Sequence, residues 1–147
     1  MASKATHDDA QLILRLYEIR REERMREARD WFTGKFFPQS ADDFKVIQNF
    51  GAPENAYFRM VTSYWDMAAS FIVQGVLNAD LFGESGGEMI FTWAKMEPFL
   101  KEIREMAGVP DYFANIEKAI ELIPDGKARV RMSQERLKQF VERQKGK

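Results

Sequence analysis

The chain has 147 residues, a net charge of −1 and no cysteine. A chain of this length buries a proper core unaided, and one domain over 1–147 is expected. The missing cysteine excludes thiol nucleophiles, disulfide frameworks, iron–sulfur clusters and zinc–thiolate sites, and the near-neutral balance argues against a general polyanion binder.

The start, MASKATHDDAQ, has no basic stretch leading into an apolar one, so no signal peptide is expected and a cytoplasmic location fits. One long helix is predicted over about 8–33, opened by Thr6 with Asp9 three residues later. Its first half is apolar on much of its surface (Leu12, Ile13, Leu14, Leu16, Tyr17, Ile19). Its middle, RREERMREARD, is nearly all charge, punctuated by Met25 and Ala28. Glu22 and Arg26 read as an i,i+4 pair worth about 0.2–0.5 kcal/mol. Trp31 and Phe32 restore a packing face. The charged middle predicts either a projecting helix or one touching the body through Met25 and Ala28. If it projects, the apolar first half needs a cover, which a second copy of the chain would supply.

Pro38 interrupts the pattern. Ser40, with Asp43 three residues on, caps a short helix that Gly51 and Pro53 stop. The central helix is predicted over about 54–76. From Met60 to Leu77 its only formal charge is Asp66. Tyr57, Val61, Tyr64, Trp65, Ala68, Ile72 and Gly75 form an apolar stripe, widened by Met60, Met67 and Phe71. Arg59, Thr62, Ser63, Asp66, Ser70 and Gln74 lie opposite. So little charge predicts a helix wrapped by its neighbours on most sides. The polar stripe and the central Asp66 make a membrane span too costly.

Asn78 caps a short turn, and 83–87 reads as a glycine-rich connector. A helix over about 88–106 follows, with Ile90, Phe91, Trp93, Ala94, Phe99, Leu100 and Ile103 inward. Pro98 lies inside it and must kink or split it. A further helix over 111–123 carries Phe113, Ile116, Ala119, Ile120 and Ile123 on one face, and Pro124-Asp125-Gly126 is a turn signal. From Gly126 onward there are eight basic residues and two acidic ones, a net of about +6, which leaves about −7 on the rest. The alternation of Lys127, Arg129 and Arg131 with Ala128, Val130 and Met132 reads as an edge strand or extended arm. Ser133 then caps a last helix with Leu137, Phe140 and Val141 on one side. The fold class expected is all-α: a bundle of five to six helices around the helix at 54–76, with a basic arm and helix over 126–147.

His7 is the only histidine. There are no Glu-x-x-His pairs, no Walker A loop and no GxGxxG. No catalytic, cofactor-binding or metal-ligating residue is assigned, no cofactor is expected, and an enzyme is not expected. Four residues stand out as buried polar or pocket candidates: Trp65, Asp66, Trp93 and Arg104. A buried carboxylate needs a partner, because leaving it unpaired costs several kcal/mol. Arg104 is the partner expected for Asp66, ahead of Arg59 or a tryptophan N–H. Trp65 and Trp93 read first as core, and otherwise as the lining of a ligand cavity. A basic arm alone is too small a field for nucleic acid.

The runs REARDWF, SYWDMAASFIVQGVLNADLF and TWAKMEPFLKEIREMAG resemble an uncharacterised bacterial family of all-helical domains of unknown function. The likeness is carried by the aromatic-acid step Trp65-Asp66, the turn Gly75-Val76-Leu77-Asn78, and Trp93 followed by Arg104. It implies a helical fold and brings no activity, substrate or cofactor. The function expected from the residues is a non-enzymatic protein-interaction or self-association module, with another copy or another protein as partner. The alternative is a small-molecule-binding domain with an aromatic pocket around Trp65, Asp66 and Trp93.

Overall fold

Local capping signals set several of the helix ends. A computed structural model describes residues 4–146; residues 1–3 and 147, the extremes of the span expected to form one domain, lie outside the described residues. The chain is all-α, with eight α-helices and two 3₁₀ segments among the described residues, more elements than the five or six expected. No strand occurs among the described residues, and none of their helices is long and apolar enough to cross a membrane.

The long helix expected at 8–33 is two helices, α1 (His7–Ile19) and α2 (Glu23–Gly34). Thr6 and Asp9 form the capping box at the start of α1, with Asp9 accepting from the Thr6 N–H at 2.8 Å. The break has a side-chain cause. Glu22 leaves the helix at φ −59°, ψ 146° and accepts from the N–H groups of Arg24 (3.1 Å) and Met25 (2.9 Å). It therefore caps α2 instead of pairing along a helix face with Arg26. The end of α1 is closed by other elements: the Arg29 guanidinium donates to the Arg20 carbonyl at 3.0 Å, and the Tyr64 hydroxyl donates to the Leu16 carbonyl. Arg29 also grips Glu88 through two nitrogens, at 2.9 and 2.8 Å.

The short helix after Ser40 is 3₁₀, over Ala41–Gln48. The buried Asn55 amide takes its closing carbonyls, Val46 (2.9 Å) and Ile47 (3.0 Å), in place of a continuing helical ladder. The central helix, α3 (Pro53–Val73), packs between α2 and α7 (Ala114–Leu122). It stops three residues before the expected end. Gly75 lies at φ +77°, the Val76 N–H reaches back to the Phe71 carbonyl at 2.9 Å, and the Gly75 N–H reaches Ile72 at 3.1 Å. That is a Schellman closure, so Gly75 ends the helix and is no part of its apolar stripe. The wrapping is also less complete than expected. Arg59, Ser63, Met67 and Gln74 face water, whereas Thr62 is buried and bonds back to Phe58 at 2.7 Å.

Asn78 caps α4 (Ala79–Gly83), accepting from the Leu81 N–H at 2.8 Å. Pro98 splits the next helix as its missing N–H requires, giving α5 (Gly87–Met96), a 3₁₀ turn and α6 (Leu100–Ala107). The expected arm and last helix are one continuous helix, α8 (Gly126–Lys145), lying along α5 and touching α7. Packing decides this. Gly126 sits so close to the end of α7 that a Cβ there would lie 2.0 Å from the Ile120 carbonyl oxygen. Val130, one helical turn on, is buried. One cluster of buried side chains runs from Leu16 to Val130, and α5 contributes five of its ten residues to it.

Candidate functional site

The least expected side chain in the core is Lys95. It stands on α5 among Thr92, Trp93, Ala94 and Met96, all buried, and is itself 3% exposed. Its Nζ donates to the carbonyls of Phe32 and Phe36, each at 2.5 Å, and approaches that of Thr33 at 3.5 Å. These carbonyls belong to the last turn of α2 and the residues just after it. The ammonium therefore caps a helix C-terminus, where the backbone dipoles favour positive charge. The rings of Phe37, Phe91 and Phe32 surround it, at 4.2, 4.7 and 5.2 Å from Nζ to the ring centres. No carboxylate among the described residues pairs with it. Burial pushes its pKa down to about 7, so near neutral pH the charged and neutral forms coexist.

An ammonium has three donors. Two are spent on the short bonds to Phe32 and Phe36. The third has only the Thr33 carbonyl, at the far edge of hydrogen-bond range. Lys95 also forms part of the lining of a hollow of about 330 Å³. Its apolar walls are Phe37 after α2, Pro98 and Phe99 after α5, and Leu137 and Val141 on α8. Gln134 lies in the same wall, its amide held to the Ala94 carbonyl by one long bond of 3.4 Å. Lys138, Glu142 and Lys145 add charge from α8. The Phe140 ring lies 4.9 Å from that of Phe37, tilted by 31°, and ties the second half of α8 to the rim.

The residues singled out in the sequence lie elsewhere. Asp66 and Arg104 do not pair. Asp66 is half-buried and accepts from the Ile116 N–H at 3.2 Å and the Asn115 amide at 3.3 Å, at the start of α7. The start of α7 carries exposed backbone donors, which is why a carboxylate on the neighbouring helix is held there. Arg104 bonds the Tyr112 carbonyl and Glu117, each at 3.0 Å. Trp65, 1% exposed, packs edge-on against Tyr64 and Phe82. Its indole N–H meets no acceptor among the described residues. Trp93 is 3% exposed and borders a separate hollow with Ile120 and Val130. The two tryptophans are thus core, and no shared pocket with Asp66 is formed by them. His7 is exposed at the first position of α1.

Sequence reasoning missed Lys95, although a signal existed. MIFTWAKM, from Met89 to Met96, carries one charge, in the same way that the central helix carries Asp66.

Residues 5–122 match the family model described as Domain of unknown function (DUF4760), in keeping with the resemblance carried by the central and fourth predicted helices. No curated protein and no solved structure matches the chain.

Proposed function

Because the chain belongs to this family, whose description attaches no activity to it, we propose from its geometry that it is a non-enzymatic binding module that takes a small, largely apolar molecule into the hollow over Lys95. The observation that carries the reading is a buried ammonium with no ion-paired carboxylate, lining a largely apolar hollow, its third donor held only by the long 3.5 Å bond to Thr33. The volume sits at the small end of the range for ligand sites, which run from roughly 300 to 1,000 Å³. Ligand sites combine apolar walls with a few fixed polar anchors, and Lys95 with Gln134 provides that combination. A fragment screen followed by NMR tests it. Shifts are expected at Phe37, Lys95, Leu137 and Val141, and Leu137→Trp is expected to remove them by filling the space. Fragments that cluster elsewhere, or ignore Leu137→Trp, refute the reading.

A second reading, self-association through α1, is favoured by one observation. Leu14, Tyr17 and Ile19 are 55%, 46% and 40% exposed within two turns of that helix. Sedimentation is expected to show concentration-dependent dimers that Leu14→Lys abolishes. A monomer at high micromolar concentration removes this reading.

A further inference from the structure

Resting on the reading that this hollow binds a small molecule, we infer that its ligand is a carboxylate with an apolar tail. The carboxylate accepts from Lys95 Nζ, and the tail lies among Phe37, Phe99, Leu137 and Val141.

The argument is one of charge and of donors. Lys95 is buried without an ion-paired carboxylate among the described residues, balanced by carbonyl dipoles and the rings of Phe32, Phe37 and Phe91. An entering anion supplies the missing charge in a setting where Coulomb attraction is weakly screened. A phosphate would need several donors, and here two are loosely held: the third N–H of Lys95, on the Thr33 carbonyl at 3.5 Å, and the Gln134 amide, on that of Ala94 at 3.4 Å. A carboxylate has two oxygens and matches that number. A covalent imine with an aldehyde fits less well. An imine nitrogen keeps at most one N–H and would strip a bond from Phe32 or Phe36, leaving a buried carbonyl unsatisfied.

Binding is then coupled to protonation. The carboxylate favours the ammonium form, while burial in the free site favours the neutral amine. Above about pH 7, capture must draw a proton from solution, so affinity falls as pH rises. The other charged groups lining the hollow are Lys138, Glu142 and Lys145, all on α8. The segment from Phe37 to Gln39 and the pair Pro98 and Phe99 bring no titratable group. On Lys95's own helix, Glu88 is engaged by Arg29. Glu97, just beyond that helix, faces the separate hollow beside Trp93.

Calorimetric titration of the full chain with octanoate and with octan-1-ol, between pH 6.5 and 9, tests the inference. Octanoate is expected to bind at least about tenfold more tightly than the alcohol at pH 6.5. Its affinity is expected to fall by up to about tenfold per pH unit above 7, while the alcohol's stays flat. Lys95→Met is expected to abolish the preference for octanoate. If that variant does not fold, the comparison of the two ligands across pH still decides. Equal, pH-independent binding of both overturns the carboxylate and leaves the hollow as a binding site. Absence of binding by either overturns both readings. Octanoate binding that survives Leu137→Trp places the ligand elsewhere and overturns this inference.

Discussion

At the scale of single residues, two charges inside helices have opposite histories. Asp66 interrupts a long uncharged run in the sequence, and it is used as a remote cap for α7. Asp66→Ala is expected to cost about 1 kcal/mol, the usual worth of a helix-capping carboxylate, and to lower the melting temperature by a few degrees. A loss several times larger in urea unfolding would show that the carboxylate carries more of the fold than its two bonds suggest. Lys95 stands out less in the sequence, because a lysine in a short run near a proline is normally a solvated one. Its burial comes from α2, more than fifty residues earlier, whose last turn closes over it. Such a contact leaves no mark on local sequence beyond the absence of other charges nearby. The lysine's folded pKa lies below its unfolded one, so between about 7 and 10 the unfolded chain holds more protons. Stability is therefore expected to rise with pH across that window, by up to about 1.4 kcal/mol per unit. Lys95→Met is expected to lose this rise, which urea unfolding at pH 6.5 and 8.5 measures. Tyr64, whose pKa burial raises to about 12, stays a neutral donor to Leu16 throughout. Tyr64→Phe removes one of two donors to that carbonyl, which keeps the Arg20 N–H at 3.2 Å, and is expected to cost about 0.5–1.5 kcal/mol in the same assay.

At the scale of elements, what was legible was local. The Thr6–Asp9 box, the Asn78 cap, the split at Pro98 and the inward face of α7, Ile116, Ala119 and Ile120, all follow from neighbours within four residues, whereas Phe113 and Ile123, expected on that face, are buried just outside the helix. Misreadings arose where distant packing chooses between two local options. Glu22 could pair along a helix or cap a new one, and the Arg29 bond to Arg20 favours the break. The KARVRM alternation suits a strand as well as one side of a helix, and contact with α5 and α7 selects the helix. That contact depends on Gly126. Gly126→Ala puts a methyl 2.0 Å from the Ile120 oxygen, so α8 must shift. The expected loss is about 1–3 kcal/mol or more, with faster amide exchange in α8 than in α3.

At the scale of the molecule, the all-α class and the place of α3 between its neighbours were readable from hydrophobic period. The hollow was not, since it forms where three separated segments meet: the chain after α2, the turn after α5 and the far half of α8. Removing residues from Gly126 onward uncovers the flank of α5 around Trp93 and Val130's partners. Such a chain is expected to bind a hydrophobic dye strongly, where the whole chain does not. Floor and walls also differ in how they are held. The Lys95 bonds lie within the stretch matched by the family model, and the α8 wall lies outside it. Leu137 and Val141 are only half-buried, so exchanging them alters the width of the space without touching the anchor beneath. A shelf of this kind can be retailored to a longer or shorter guest by changing one panel while the rest of the scaffold stays as it is.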